Sequence, residues 1–433
     1  MSQEIPESLE PAKPISAQPV QDQERIHAID VLRGFALLGI LPVNIIAFAH
    51  VEAAYQNPAI AGGFTGINFI TWLLTHVIFE GKMVTLFSML FGVGLFLQVS
   101  RVEERRGKPG SGRGLFFRRV FWLLIIGLIH AYVFWYGDIL TYYALMGMLV
   151  YWFRRWKPRN QLILGLSLIL LGSLILVGAS LLLDFSFSYV ESHPELVKET
   201  EDIRKMKENF NPTPAMVEEK SKQVRDAGFV EMLRLRAPST AQFQIFGLLT
   251  FVLWRITGLM LCGIALYQLQ AFDRSWPNQR YQRWAMIGLG LGILLTCLGI
   301  WQHLQTKEMP DMIRTMATYD YYGSLLMAAG YFAVIMLAVK QRWLPAVQSR
   351  LAAVGRMAFT NYLSQTLICT AIFHGWGLAQ FGLWQRYQLF LLVIAIWCFQ
   401  LFISPIWLKH FHFGPCEWVW RSLTYWKLQP MRR

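Results

Sequence analysis

The chain has 433 residues and a formal net charge of +13 at pH 7. Hydrophobic residues make up 55% of it and charged residues only 15%, which is too little charge for an ordinary soluble domain. Its apolar residues form runs of about twenty, and only helices satisfy their own backbone hydrogen bonds across a bilayer of about 30 Å. The sequence therefore predicts an all-α, polytopic transmembrane helical bundle.

Membrane topology explains the basic residues better than nucleic-acid binding does. Lys and Arg collect in the cytoplasmic loops of membrane proteins, and here they concentrate in every second connection. The five cysteines form no CxxC pair, which argues against structural disulfides and a zinc site. We expect no nucleic-acid partner and no metal.

Ten apolar segments predict ten spans. Glu80, Gly81 and Lys82 interrupt the second segment, which predicts a short outer helix before the true span. The segments are approximately 30–50, 68–99, 115–135, 138–153, 161–183, 243–268, 284–303, 320–340, 352–375 and 387–408.

The alternation of basic loops predicts the orientation. The connection 101–119 is rich in arginine, and basic clusters also follow the fourth, sixth and eighth spans. We therefore expect both termini in the cytoplasm. The expected domains are a disordered cytoplasmic tail (1–24), a five-span bundle with the candidate site (25–183), an extracytoplasmic loop with surface helices (184–242), a second five-span bundle (243–408) and an amphipathic aromatic and basic cytoplasmic tail (409–433). The last tail either lies in the inner headgroup layer or caps the bundle.

Charged residues are costly inside a membrane, so those near the spans are candidates for function. Asp30 and Arg33 share a helical face where the first span begins. Arg118 and Arg119 begin the third span, and adjacent guanidinium groups suit phosphate binding. These four residues predict a cytoplasm-facing site for an anionic ligand. The alternative for Asp30 and Arg33 is an ion pair that positions the helix.

A histidine follows deeper in the same third span. His130 lies about 16 Å beyond Arg119 along the helix, close to Asp138. An imidazole at that depth could act as a general base or as a transient acyl carrier, with Asp138 orienting it or binding substrate. The alternative is a histidine satisfied by a neighbouring carbonyl group.

Two further places combine polar groups with apolar spans. His76 and Glu80 are four residues apart and face the same way, while a buried contact between Glu80 and Lys82 is the alternative there. Asn361 and Gln365 belong to a polar stripe that must face protein or water. Either this stripe makes interhelical hydrogen bonds, or it lines a substrate cavity together with Glu80.

Several motifs are spread over nearly the whole chain after residue 25. They are 29–34 (IDVLRG) with Asn44, 54–58 (AYQNP), 85–92 (TLFSMLFG), 127–130 (GLIH), 134–140 (FWYGDIL), 355–362 (GRMAFTNY) and 413–425 (FGPCEWVWRSLTY). Together these motifs resemble the YeiB-like family of bacterial inner-membrane proteins, a resemblance that implies a location but says little about activity.

The Asp-x-x-Arg-Gly opening and the second span also look like the transmembrane acyltransferase superfamily, which includes the lysosomal heparan-glucosaminide acetyltransferase. This wider resemblance implies an enzyme that takes an acyl group from cytoplasmic acyl-CoA and uses a histidine to deliver it to an acceptor on the far side. Our choice for that histidine is His130, and His50 and His76 stay open as alternatives.

Three functions remain open from the sequence. The first is a membrane-embedded acyltransferase with acyl-CoA as co-substrate and an extracytoplasmic glycan, lipid or small molecule as acceptor. The second is a transporter or flippase for a small metabolite or lipid, which predicts an internal repeat that the two halves do not show. The third is a non-catalytic sensor or assembly factor. Membrane lipids are expected partners in each case, and a homodimer stays open.

Overall fold

The computed structural model describes residues 26–193, 195, 197–306 and 308–433. These residues form helices and connections, with an isolated bridge between Phe411 and Arg432 and no strand within the described ranges. The prediction of an all-α fold is confirmed.

Eighteen α-helices follow one another in the described part of the chain. Five-residue π-helical turns continue α5 at His130–Phe134 and α10 at Leu248–Val252, and a third precedes α14 at Met316–Asp320. The helices are α1 (His27–Ala49), α2 (Ala53–Gln56), α3 (Gly66–Ile78), α4 (Lys82–Arg106), α5 (Arg113–Ile129), α6 (Leu140–Val150), α7 (Pro158–Ser192), α8 (Val197–Phe210), α9 (Pro214–Asp226), α10 (Phe229–Gly247), α11 (Leu253–Gln268), α12 (Asn278–Gln305), α13 (Met309–Thr315), α14 (Tyr321–Lys340), α15 (Pro345–Arg356), α16 (Ala358–Phe373), α17 (Arg386–His410) and α18 (Pro415–Tyr425).

Eight helical segments of the described chain are long and apolar enough to cross a membrane, so this is a multi-pass membrane protein. The predicted break in the second segment is present, because α3 ends at Ile78 and Gly81 adopts a left-handed φ of 73° just before α4. The eight segments are His27–Ala49, Gly66–Arg106, Arg113–Phe134, Pro158–Ser192, Phe229–Gln268, Asn278–Gln305, Met309–Lys340 and Arg386–His410.

Two of the ten predicted spans are shorter helices in the structure. The segment 138–153 forms α6, whose 11 residues rise only about 16 Å. The segment 352–375 is divided, because α15 ends at Arg356 and α16 begins at Ala358. At this division the side chain of Glu417 in α18 accepts hydrogen bonds from the first backbone N–H groups of α16.

The outer part of the chain is more helical than its composition suggests. Helix α7 runs to Ser192, beyond the apolar limit at residue 183, because no Pro or Gly occurs between Gly178 and Pro194. A residue before proline avoids the helical conformation, which accounts for the end of α7. The predicted outer loop 184–242 accordingly holds the end of α7, α8, α9 and the first part of α10.

Helix α1 occupies the centre of the bundle. It packs against α4, α14, α15, α16 and α17, and its side chains Leu32, Leu37 and Leu41 are completely buried. Within a bilayer such leucines stabilise the bundle through van der Waals packing against the neighbouring helices.

Candidate functional site

His130, Asp138 and Thr366 form a hydrogen-bonded series inside the bundle. His130 Nδ1 lies 2.8 Å from Asp138 Oδ1, and His130 Nε2 lies 3.0 Å from Thr366 Oγ1. Each of the three residues is at most 2% exposed. A carboxylate can only accept, so a neutral imidazole carries its proton on Nδ1 and accepts the threonine hydroxyl proton at Nε2. The order is therefore hydroxyl, base and orienting carboxylate.

An irregular segment between α5 and α6 brings the histidine and the aspartate together. The π-helical turn His130–Phe134 ends at Trp135, whose backbone is extended with φ −161° and ψ 124°. The chain then turns back, and the backbone N–H of Thr141 donates to Asp138 Oδ2 at 2.7 Å. The end of α5 thus holds the imidazole, while the first turn of α6 holds the carboxylate.

Some buried polar atoms beside this series have no hydrogen-bond partner among the described residues. They include Trp135 Nε1, Thr141 Oγ1 and the Tyr362 hydroxyl oxygen. The Trp135 ring lies 6.5 Å from the His130 ring between centroids, and Tyr362 lies 5.3 Å away on the same measure. A buried group without a partner costs about 1–3 kcal/mol. The surroundings of His130 therefore offer hydrogen bonds that the described protein does not use.

A second cluster surrounds His76 at the break between α3 and α4. His76 Nδ1 lies 2.6 Å from Glu80 Oε2, and His76 Nε2 lies 3.0 Å from Asp320 Oδ1. A neutral imidazole has one N–H and can donate to only one of the two carboxylates. An additional proton must therefore reside on the imidazole or on one carboxyl group. Lys82, 1% exposed, donates from Nζ to the His76 carbonyl oxygen at 2.8 Å.

This second cluster borders an open cavity between α1, α3 and α17. The empty space in and around this cavity, counted together with the open solvent at its mouth, is about 460 Å³. Its polar lining includes Tyr55, Thr75, His76, Glu80 and Arg386. Since α4 begins at Lys82 and ends at Arg106, the cavity lies at the end of the bundle away from the arginine-rich connection 101–119.

The four residues predicted to bind an anion lie near the opposite end of the bundle. Arg33 Nη1 pairs with Asp30 Oδ1 at 3.1 Å. The Arg119 guanidinium stacks 3.9 Å from the Trp420 ring centroid of α18, and Arg118 lies 5.9 Å from that of Trp426. The structure therefore adds α18 to the predicted basic site.

Arg33 and Arg421 are close enough for their charges to act on the Arg119 guanidinium. Arg119 Nε is buried and has no hydrogen-bond partner among the residues that the structure describes. Three guanidinium groups of like charge repel one another, and an anionic ligand would relieve that repulsion. The chemistry of this place suits phosphate groups.

The predicted polar stripe of α16, with Asn361 and Gln365, makes hydrogen bonds to α17. Asn361 Nδ2 donates to Ser404 Oγ at 3.1 Å, and Gln365 Nε2 donates to Gln400 Oε1 at 2.9 Å. Both Asn361 and Gln365 are 3% exposed. The cavity described above is lined by Glu80, but Asn361 and Gln365 are not part of its wall. Their contacts are those of interhelical hydrogen bonding.

The three candidate histidines have different environments. His50 is buried, with Nε2 2.7 Å from the Trp384 carbonyl oxygen. His76 lines the cavity and lies between two carboxylates. His130 lies between a carboxylate and a hydroxyl, closed off in this conformation. Of these three side chains, His130 is placed to accept a proton from a hydroxyl group and His76 is placed to exchange one with the cavity.

Glu417 of α18 caps the start of α16. Its Oε1 accepts from the backbone N–H groups of Phe359 at 2.7 Å and Thr360 at 3.2 Å, and its Oε2 accepts the Thr360 hydroxyl at 2.5 Å. The first N–H groups of a helix lack intrahelical partners, and a carboxylate satisfies them well. This contact allows α16 to start anew after Arg356, so the predicted span 352–375 is divided.

Sequence reasoning missed several polar residues that the fold brings to these sites. Thr366 immediately follows the predicted stripe residue Gln365, yet its partner His130 is far away in the sequence. Asp320 is the first residue of the predicted eighth span. Arg255 had the clearest signal, a lone charge inside the apolar run 243–268, and it donates to Ser324 Oγ at 2.7 Å.

The fold and its buried polar clusters define a multi-pass membrane protein with ionisable groups held inside its helical bundle. The chain is 31% identical over 408 residues to "Uncharacterized protein YeiB" of Escherichia coli (strain K12), covering 93% of this chain and 96% of that protein. It is also 31% identical over 425 residues to "Uncharacterized protein YxaH" of Bacillus subtilis (strain 168), covering 96% and 98%. The chain belongs to the YeiB-like family, whose function is unknown, which confirms the resemblance.

The family model that matches covers the C-terminal part. Its description is "Protein of unknown function (DUF418)", and it matches residues 266–427. That range includes α16 with Thr366 and α18 with Glu417. No solved structure matches the chain.

Proposed function

We propose that this protein is a membrane-embedded acyltransferase, which moves an acyl group from cytoplasmic acyl-CoA to an extracytoplasmic or lipid-linked acceptor. The observation that supports the proposal is the series Asp138, His130 and Thr366, with hydrogen-bond distances of 2.8 and 3.0 Å. A hydroxyl beside a base that a third group orients is the arrangement used in nucleophilic acyl transfer.

In the proposed reaction His130 Nε2 takes the hydroxyl proton of Thr366 as Oγ1 attacks the thioester carbonyl. A bond forms between Oγ1 and the acyl carbon, the C–S bond breaks, and His130 returns the proton to the leaving thiolate. The acceptor hydroxyl or amine then attacks the acyl ester, losing its proton to His130, which passes it back to Thr366. Asp138 keeps the proton on Nδ1 and stabilises the imidazolium that forms in each step.

The proposal includes an orientation in the bacterial inner membrane, with both termini and the connection 101–119 in the cytoplasm. Arg33, Arg119 and Arg421 would then bind the phosphate groups of coenzyme A from the cytoplasm. Eleven residues of helix separate Arg119 from His130, which is a rise of about 16 Å. The pantetheine arm is long enough to cover that distance. A covalent acyl-threonine lets the two substrates reach the protein from opposite sides.

The His130 series is closed in this structure, so the proposed cycle also requires an opening motion. The π-helical turn His130–Phe134 and the non-helical residues that follow it supply a local irregularity. Such turns interrupt the regular backbone ladder and are frequent at functional sites. Loop opening on the microsecond to millisecond scale is common in enzymes that exclude water during reaction.

The test is covalent labelling of protein in lipid nanodiscs with radioactive acetyl-, succinyl- and palmitoyl-CoA. We expect an alkali-sensitive label on the peptide that contains Thr366, absent from Thr366→Val and retained in Thr366→Ser. Thr370→Val is the matched control, because that hydroxyl donates to the Thr366 backbone carbonyl on the same helix. Wild-type protein that takes no label from any of the three donors, or equal labelling of Thr366→Val, would reject the covalent mechanism.

The cavity beside His76 favours a second candidate function, a transporter or flippase for a small metabolite or lipid. The cluster of His76 with Glu80 and Asp320 holds an extra proton at the cavity wall, and such groups serve as proton relays in transporters. Uptake into proteoliposomes without acyl-CoA, coupled to proton movement and lost in His76→Ala, would support transport. Acyl transfer in proteoliposomes that show no such uptake would exclude it.

A further inference from the structure

The open cavity between α1, α3 and α17 carries Glu80, its ion-pair partner His76, and Arg386 on its wall. We propose that it binds a small zwitterion, an α-amino acid with an apolar side chain, through Glu80 and Arg386. This proposal concerns binding alone and does not depend on acyl transfer at Thr366.

Glu80 provides the site for the ammonium group. Its carboxylate is bonded to His76 through Oε2, and in the described part of the chain that is its hydrogen-bonding partner, so Oε1 is available. The side chain remains 27% exposed on the cavity wall. The rings of Tyr55, Trp72 and Phe390 line the same cavity, and aromatic faces attract an alkylammonium group.

Arg386 provides the site for the carboxylate group. Its Nη2 donates to the carbonyl oxygens of Ala54 at 2.7 Å, Asn57 at 3.3 Å and Ile60 at 3.2 Å, which anchor the guanidinium. Arg386 is 7% exposed, and its Nε has no hydrogen-bond partner among the described residues. Because the Nη2 group already donates to backbone carbonyls, the Nη1 group is the terminal donor that remains for a carboxylate.

The two charges act on each other without forming an ion pair in the described part of the chain. Arg386 lies within reach of the Glu80 charge, yet its hydrogen bonds go to backbone carbonyls. The Arg386 charge would repel a simple cation, while the Glu80 carboxylate can still accept an ammonium group at Oε1 although His76 engages its Oε2. A zwitterion can place its ammonium group against Glu80 and its carboxylate against Arg386 at the same time. The cavity should therefore bind a zwitterion more tightly than a ligand with one charge.

The remaining wall is apolar. Ile45, Ile46 and Leu389 line the cavity beside the charged residues. Their surface can bury an aliphatic side chain, and each methylene removed from water contributes about 0.8 kcal/mol. L-leucine therefore matches the cavity with its ammonium group, its carboxylate and its aliphatic side chain.

The test compares L-leucine with its two deletion analogues, 3-methylbutylamine and 4-methylpentanoate, by isothermal titration of the full chain in nanodiscs. We expect L-leucine to bind at least tenfold more tightly than either analogue. Glu80→Gln should weaken leucine binding at least tenfold, whereas Glu219→Gln, the same change at an exposed position outside the cavity, should leave it unchanged.

The comparison of the three ligands on the wild-type protein tests whether the cavity selects a zwitterion, even if a variant fails to fold. Binding of the amine as tight as that of leucine would identify a cation site, and equal binding of the carboxylate would identify an anion site. Either result, or no binding of leucine, overturns the proposal. Labelling at Thr366 is measured separately, so failure here leaves the acyltransferase proposal standing.

Discussion

Gly34 of α1 and Gly355 of α15 lie so close to each other's helices that neither position can hold a side chain. A Cβ atom on Gly34 would lie 2.0 Å from the Leu351 carbonyl oxygen, and one on Gly355 would lie 2.0 Å from the Asp30 carbonyl oxygen. The motifs 29–34 and 355–362 are therefore two sides of one backbone contact. This contact holds the beginning of the central helix against the second half of the chain.

Gly355→Ala should destabilise the protein by about 1–3 kcal/mol, because backbone atoms cannot move aside as a flexible side chain would. The control is Gly290→Ala on α12, where an added Cβ meets no atom within 4 Å and alanine improves helix propensity. The measurement is the thermal unfolding temperature in detergent. Gly355→Ala and Gly290→Ala proteins with the same unfolding temperature would contradict this account of the contact.

Glu417→Gln should change how stability depends on pH. Burial raises the pKa of Glu417 above its ordinary value of 4.5, and the hydrogen bonds from Thr360 and Phe359 partly oppose that rise. A carboxyl group whose folded pKa is raised stabilises the folded state at low pH and loses that contribution as the pH rises from 4.5 through the folded pKa. Wild-type protein should therefore lose stability relative to Glu417→Gln over this interval.

Unfolding temperatures of the wild type and Glu417→Gln, measured at pH 4.5 and pH 8, check this prediction. Glu417→Ala is the companion variant: it removes the acceptor for Phe359 and Thr360 and should cost about 1–3 kcal/mol at both pH values. A difference between wild type and Glu417→Gln that does not change with pH would show that Glu417 has the same pKa in both states.

The sequence predicted the helical bundle well because span length and hydrophobicity are local properties. The break at Glu80–Gly81 was also local, and so was the neighbourhood of His130 and Asp138, which are eight residues apart. Thr366, by contrast, bonds to His130 across 236 positions, and Asp320 bonds to His76 across 244. Such pairings depend on which helices become neighbours.

The division of the predicted span 352–375 also depends on a residue that is distant in the sequence. No local pattern in that apolar segment predicts that the backbone N–H groups of Phe359 and Thr360 bind Glu417. The length of α7 was underestimated for a different reason: hydrophobicity ends at residue 183, while helix formation continues to Ser192. The limits of a membrane span follow hydrophobicity, whereas the end of a helix follows backbone hydrogen bonding and residues such as proline. The hydrophobic pattern alone therefore does not predict both.

Topology provides a third prediction. Reporter fusions placed after Arg106 and after Glu201 should report opposite sides of the membrane, with Arg106 in the cytoplasm, because positive residues are retained there. Alkaline phosphatase and fluorescent protein fusions give complementary signals at the two positions. If both positions report the same side, the proposed orientation of the donor and acceptor sites is wrong.

Coenzyme A should stabilise the protein against thermal unfolding, because a ligand that binds only the folded state raises its apparent stability. Arg119→Ala should reduce that shift, since Arg119 is the guanidinium on which the charges of Arg33 and Arg421 act. Arg113→Ala is the control, an exposed arginine on the same helix that packs over Trp152. An equal shift in both variants would place the coenzyme elsewhere.

His130→Ala should lower the rate of acyl transfer by about 10²–10⁴-fold, the usual contribution of a general base. Asp138→Asn should lower it less, because the carboxylate orients and supports the imidazole and does not itself take the substrate proton. Coenzyme A binding should persist in both variants. Full activity in a well-folded His130→Ala protein would remove His130 from the mechanism.

The capping of α16 by Glu417 has a consequence for biosynthesis. A chain is made from its N-terminus, so α16 leaves the ribosome before the carboxylate that completes its first turn exists. The helix that carries Thr366 thus receives its cap only when residue 417 has been made. A polypeptide that stops just before residue 417 holds all eight membrane-spanning segments of the described chain but leaves the α16 N–H groups of Phe359 and Thr360 without this partner. The first turn of α16 therefore depends on a residue that is synthesised after both α16 and α17.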